Sequence, residues 1–231
     1  VTTPPPLVTF GHGTADADRI AELLVGAGVT RLVDVRRFPG SRRHPHVARD
    51  VMAQWLPAAG VAYRWEPRLG GRRRVERTGD DASPDPWWQV EAFRAYAAYT
   101  RTHEFRSAMG ELLADAQRHD AGRTAVLCSE TVWWRCHRRL ISDVAVLLHG
   151  MPVEHLAHDG RLGPHRPAAG ARVAPDGLRY DVRPDPEPEP SPKSSPEPDP
   201  EPGADAAEDV PAPAVAAGAG VTAAVRSEAR T

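Results

Sequence analysis

Three short apolar runs, separated by two stretches of helical period, fill the first 65 residues and limit the chain to few folds. Leu7 to Phe10 is the first run, ending at Gly11-His12-Gly13-Thr14. Thr14 is placed to cap a helix in which Ile20, Leu23, Leu24 and Ala27 follow the i, i+3, i+4, i+7 pattern, and Gly28 closes it. Arg31 to Val35 reads as a second strand, Arg49 to Ala59 as a helix, and Val61 to Trp65 as a third strand after Gly60. A β-α-β-α-β order implies parallel neighbouring strands joined by right-handed crossovers.

Beyond it, Glu66 to Pro86 is a long polar loop rich in Arg and Gly. Loops of that length inside a compact domain are usually functional or disordered. Helices are expected over Trp88 to Arg101 and His103 to His119, a buried strand at Thr124 to Cys128, a helix from Cys136 to His149 and a last strand at Val153 to Leu156. The expected fold is α/β: three layers, with a mainly parallel open sheet of about five strands and helices on both faces. Its limits are read as 7–160, followed by an irregular extension at 161–183.

Composition enters at the C-terminus. From Pro184 to Thr231 there are ten acidic and three basic residues with eleven prolines, many in Pro/acid pairs such as Pro186-Glu187-Pro188-Glu189. Such a segment buries too little apolar surface to offset its ordering entropy, so 184–231 is expected to be a disordered tail. Removing it leaves 26 basic and 21 acidic residues in Val1 to Arg183, so the overall charge of −2 conceals a basic domain. No apolar run approaches the roughly 18 residues a membrane helix needs, and the N-terminus lacks the pattern of a secretory signal. A cytoplasmic location with no membrane partner is the default expectation. The two cysteines, Cys128 and Cys136, are too few for a disulfide framework.

Ligands of open parallel sheets bind beyond the carboxyl ends of the strands. Here those ends run into Gly11-His12-Gly13, into Asp34-Val-Arg36 with Ser41-Arg42, into Glu66, and into Cys128-Ser-Glu130. Gly11 and Gly13 would let backbone approach a ligand, with His12 as a catalytic candidate. Asp34 and Arg36 share a face of the strand tip and could pair, aiming the guanidinium at the crevice, while Arg42 is a candidate for phosphate contact. Cys128, near Arg135 and a helix N-terminus, could be a nucleophile, although buried cysteines are more often small hydrophobes. Glu130, beside Trp133 and Trp134, could be a general acid/base or an arginine partner. No cofactor is expected; Cys128, Cys136, His137 and His12 together could bind zinc, but the cysteines stand eight apart rather than in the usual CxxC.

Gly11-His12-Gly13, Leu32-Val-Asp-Val-Arg36 with Pro39-Gly-Ser41-Arg42, Leu69-Gly-Gly-Arg72, Phe93-Arg-Ala-Tyr96 and Cys128-Ser-Glu130 with Cys136-His-Arg138 together resemble the DUF488 family. The resemblance runs from about Leu7 to Leu156 and implies an α/β fold without an established activity. It implies that Asp34, Arg36, Ser41, Arg42, Gly70, Gly71, Cys128, Glu130, Cys136, His137 and Arg138 stand at the family's signature positions. An enzyme acting on a phosphate-bearing or nucleotide-like substrate is the leading expectation, with Cys128, Glu130 and His12 reactive. Gly11, Gly13, Asp34, Arg36, Ser41, Arg42, Gly70, Gly71, Arg72, Arg135, Cys136, His137 and Arg138 would then bind. A nucleic-acid-binding module using the tryptophans and the six arginines of Arg64 to Arg77 is a second reading, and a regulatory or partner-binding domain a third.

Overall fold

The computed structural model describes residues 5–73, 83–118 and 122–182, so part of the long loop and the whole 184–231 tail lie outside the described residues. Strands β1 (Leu7–Gly11), β2 (Val29–Asp34), β3 (Ala62–Trp65), β4 (Arg123–Cys128), β5 (Val153–Leu156) and β6 (Leu162–Pro164) form one sheet in the order β3-β2-β4-β1-β5-β6. The first five are parallel and β6 is antiparallel to β5. Helices α1 (Ala17–Gly26) and α2 (Arg49–Ala58) cover one face; α3 (Glu91–Thr100), α4 (His103–Ala116) and α5 (Arg138–His149) cover the other.

Period-two alternation sorts the strand residues between two cores. Val8, Phe10, Leu32, Ala125 and Leu127 pack with Ile20, Leu24, Met52 and Leu56 of α1 and α2. Leu7, Val33, Val126 and Cys128 pack with Tyr96, Phe105, Leu112, Leu140 and Ile141 on the opposite face. Cys128 is thereby committed to the α3–α5 side, where Cys136 also packs, and the Asp34 and Arg36 side chains to the α2 side.

Helix ends follow capping chemistry with one change. Asp16, not Thr14, caps α1, its carboxylate accepting from Arg19 N at 2.8 Å, because the chain first completes a turn in which Ala15 N donates to His12 O. Gly28, at φ +72°, then turns the chain into β2.

Two sequence expectations need correction. The first two strands are parallel but not neighbours, since β4 lies between them; periodicity encodes which face a strand buries, not which strand it joins. The described part of the extension, 161–182, carries regular structure, since β6 extends the sheet and β7 (Ala171–Ala174) pairs with β8 (Gly177–Tyr180) in a hairpin packed on α3 and α5. Three residues containing a Gly and a Pro carry no readable alternation, and Pro164 is tolerated at a sheet edge.

A buried polar chain ties this C-terminal part to the sheet. Thr9 Oγ1 donates to His155 Nδ1 (2.6 Å), His155 Nε2 to His165 Nδ1 (2.9 Å), and His165 Nε2 to Asp143 Oδ1 (2.8 Å). The Tyr180 hydroxyl reaches the other Asp143 oxygen at 3.0 Å. Each side-chain polar atom of this five-residue network has a partner, as burial requires.

Candidate functional site

Beyond the carboxyl ends of β2 and β4 a cleft of about 280 Å³ opens, lined among others by Arg36, Arg37, Gly71, Arg72, Phe93, Tyr96, Cys128, Glu130, Arg135, Cys136 and His137. Its floor is made where β4 ends at Cys128 and where α5 begins after Cys136 and His137. His137 Nδ1 lies 3.6 Å from Cys136 Sγ and 3.9 Å from Cys128 Sγ. Packing holds the ring there. Tyr96 contacts it edge-on at 5.1 Å between centroids, and a Cβ on Gly71 would stand 2.8 Å from Nδ1. Gly71 is therefore small because the imidazole occupies its side-chain space. The Tyr96 hydroxyl is fixed in turn by Leu69 O at 2.6 Å.

The two thiols are shifted in opposite directions. The hydrogen bond to Cys136, reinforced by burial, pushes the Cys128 thiol well above its ordinary value. Burial would push Cys136 the same way, but the Cys128 hydrogen bond, His137 and the Arg138 guanidinium together bring it well below. The arrangement is two buried thiols of opposed acidity beside an imidazole, at the N-terminus of a 12-residue helix.

The rim is cationic. Arg37, Arg72 and Arg135 line the cleft without a carboxylate partner among the described residues. Arg72 also adopts φ +58°, a region in which a residue other than Gly is strained, and such strain tends to collect at functional sites.

Several expected residues are placed otherwise. Arg36 and Asp34 do pair, but the pair is a buried brace. Asp34 accepts from Arg36 N (3.0 Å), Nε (2.9 Å) and Nη2 (2.6 Å) and from the Tyr63 hydroxyl (2.6 Å). Arg36 also donates to Val47 O (2.8 Å) and His12 Nε2 (3.2 Å). With so many donors engaged, Arg36 contributes to the cleft wall rather than to anion capture. His12 is buried outside the cleft, and burial followed by the Arg36 charge lowers its pKa to about 4, so it stands as a neutral brace. The amides of His12 and Gly13 are spent on Cys128 O (3.0 Å) and Ser129 O (2.9 Å). A Cβ on Gly11 would lie 1.8 Å from Glu130 O, and one on Gly13 2.2 Å from Thr131 Oγ1. These glycines allow chain to pack on chain.

Ser41 Oγ accepts from His44 N at 2.9 Å within its own turn, and Ser41, Arg42 and Gly70 are not in the cleft lining. Gly70 is pressed against Arg37, whose backbone N would lie 2.9 Å from an added Cβ. Arg138 is buried beneath the floor, donating to Glu130 O and Thr131 O. Of the expected residues, the structure brings Arg36, Gly71, Arg72, Cys128, Glu130, Arg135, Cys136 and His137 to the cleft. It adds Arg37, Phe93 and Tyr96. The i, i+3 spacing of Phe93 and Tyr96 on one helix face was the available signal for the last two.

Residues 16–145 match the family model described as Domain of unknown function DUF488. The chain belongs to this family. No curated protein and no solved structure matches it. The DUF488 match spans β2, α3, β4 and most of α5, and so every residue named on the cleft floor and rim. Among the described residues no helix is long and apolar enough to cross a membrane.

Proposed function

We propose that this DUF488 protein is an enzyme acting on a small anionic, phosphate-bearing substrate held in the cleft at the carboxyl edge of the sheet. The observation that carries the reading is the placing of three arginines without carboxylate partners, Arg37, Arg72 and Arg135, around a sulfur and imidazole floor. Guanidinium forks match phosphate oxygens in pairs, and a partly enclosed cleft strengthens the match by excluding water. The floor supplies the reacting groups, Cys128, Cys136 and His137, and Glu130 at the same cleft is the acid/base.

Of the six arginines behind the nucleic-acid alternative, three are engaged elsewhere and Arg72 is on the cleft rim. Arg64 pairs with Glu66 and Asp115, Arg68 with Glu66 and Glu111, and Arg73 stacks on Tyr99. Arg74 and Arg77 lie outside the described residues. Trp88 is buried, and Trp133 stacks on His155 at 4.0 Å.

The test is thermal stabilisation of the full chain by inorganic phosphate, nucleotides and sugar phosphates, for wild type and an Arg72→Ala/Arg135→Ala double variant. A ligand at a hundred times its Kd adds about 2.7 kcal/mol to stability, and the double variant should lose most of that. Equal stabilisation of both proteins, or of neither, refutes the reading.

A further inference from the structure

Cys128, Cys136 and His137 bring three soft ligand atoms within 4.8 Å of one another, on the cleft floor. We propose that they form a binding site for a thiophilic divalent cation of the zinc class, with its fourth coordination position open to the cleft. This deepens the reading just given and rests on it for what enters the fourth position.

The sulfur–nitrogen distances fit without a change of fold, and the sulfur–sulfur edge is within 4.8 Å. With metal–sulfur bonds of about 2.3 Å and metal–nitrogen bonds of about 2.0–2.1 Å, a tetrahedron has sulfur–nitrogen edges of about 3.5–3.6 Å. The two such edges here are 3.6 Å and 3.9 Å. All three donors reach the point from elements fixed independently: Cys128 from the end of β4, Cys136 and His137 from the start of α5. His137 is held by Tyr96 and by the lack of a side chain on Gly71, so Nδ1 faces the sulfurs before any ion arrives. The eight-residue spacing that argues against zinc in the sequence is bridged by the turn between strand and helix. His12, the fourth residue considered there, is outside the cluster.

Two cysteines and one histidine with a vacant fourth position make a donor set used by catalytic rather than structural zinc, whose sites are closed by four protein ligands. Charge agrees. Two thiolates offset the two charges of the ion, leaving Arg37, Arg72 and Arg135 for an anionic ligand entering beside it. Glu130, lining the same cleft, stays outside the donor cluster and free for proton transfer.

Cobalt(II) is a direct probe, because thiolate ligation produces a charge-transfer absorption and tetrahedral geometry produces intense visible bands. The chain contains only two cysteines, so a thiolate signal can come from nowhere else. The reduced, chelator-stripped full chain is titrated with cobalt(II) and then with zinc(II). The expected result is one cobalt per chain with both signatures, displaced by zinc. Cys136→Ser should reduce the charge-transfer band, and His137→Ala should weaken cobalt binding by about tenfold or more. Absence of the charge-transfer band from folded, reduced wild type overturns the site, as does unchanged cobalt affinity in His137→Ala. Phosphate stabilisation, measured on the same samples, separates the two ideas. Phosphate binding without a cobalt band overturns the metal site alone, and a cobalt band without phosphate stabilisation sinks the substrate reading alone.

Discussion

Replacing Asp34 with Ala strands a buried cation, and the consequence can be worked out from its contacts. Asp34 is fully buried and accepts four hydrogen bonds, three from Arg36 and one from Tyr63. Without it the Arg36 guanidinium, itself buried, keeps only the Val47 carbonyl, neutral His12 and the Met52 sulfur. Breaking one side of a buried ion pair costs about 3–5 kcal/mol, a large share of the roughly 5–15 kcal/mol that holds a domain folded. For a domain of this size each kcal/mol moves Tm by about 2–4 °C, so a drop of about 6–20 °C is expected. The double variant Asp34→Leu/Arg36→Met removes both charges and should recover most of the loss. Urea unfolding followed by tryptophan fluorescence suits the measurement, because Trp65 Nε1 donates to Arg36 O at 2.8 Å. A loss below about 1 kcal/mol in Asp34→Ala, or a double variant no more stable than the single one, would refute the brace and the electrostatics assigned to it.

Gly71→Ala should leave the fold standing but displace His137, since its Cβ would meet three ring atoms at 2.8–3.4 Å; weaker cobalt binding with a Tm change under about 1–3 kcal/mol equivalent is the expected pattern. Gly11→Ala drives a Cβ to 1.8 Å from a backbone oxygen and should lower stability by about 3 kcal/mol or more, read as a shifted urea midpoint. Burial first, then the charges of His165 and Arg138, hold His155 at about 3 against an ordinary 6.5, so between those values the unfolded chain binds the extra proton. Stability should therefore rise with pH across that window and flatten above it, and His155→Gln should show a shallower rise. Asp85 accepts from Arg101 (3.0 and 2.7 Å) and from Tyr180 N (3.1 Å), so Asp85→Asn should speed amide hydrogen exchange at Tyr180 before elsewhere.

The alternation of Leu7 to Phe10, the helical period of Ile20 to Ala27 and the apolar run ending at Cys128 carry the layers and the faces, because burial periodicity is a local property of a strand or helix. Strand order is not, and β4 enters between β1 and β2 only after more than half the described chain has been laid down. The strand-edge rule brought Cys128, Glu130 and Arg36 to one cleft. It could not separate Arg36, whose donors are spent within the fold, from Arg37, whose side chain stays on the rim. Nor could it tell a glycine that makes room for a ligand from one that makes room for chain, as the neighbour of Gly11 is Glu130, distant in sequence.

The β7–β8 hairpin sets the order in which the site can be completed during synthesis. Asp85 and Trp87, just before the helix that carries Phe93 and Tyr96, are fastened by Tyr180 through its N and O atoms, and Arg101 is held by Leu178 O. A chain emerging from the ribosome presents the cysteines and arginines well before residue 178. The α3 wall thus stays unlatched while the nascent chain is short, and the cleft floor gains its full enclosure only after the hairpin has docked.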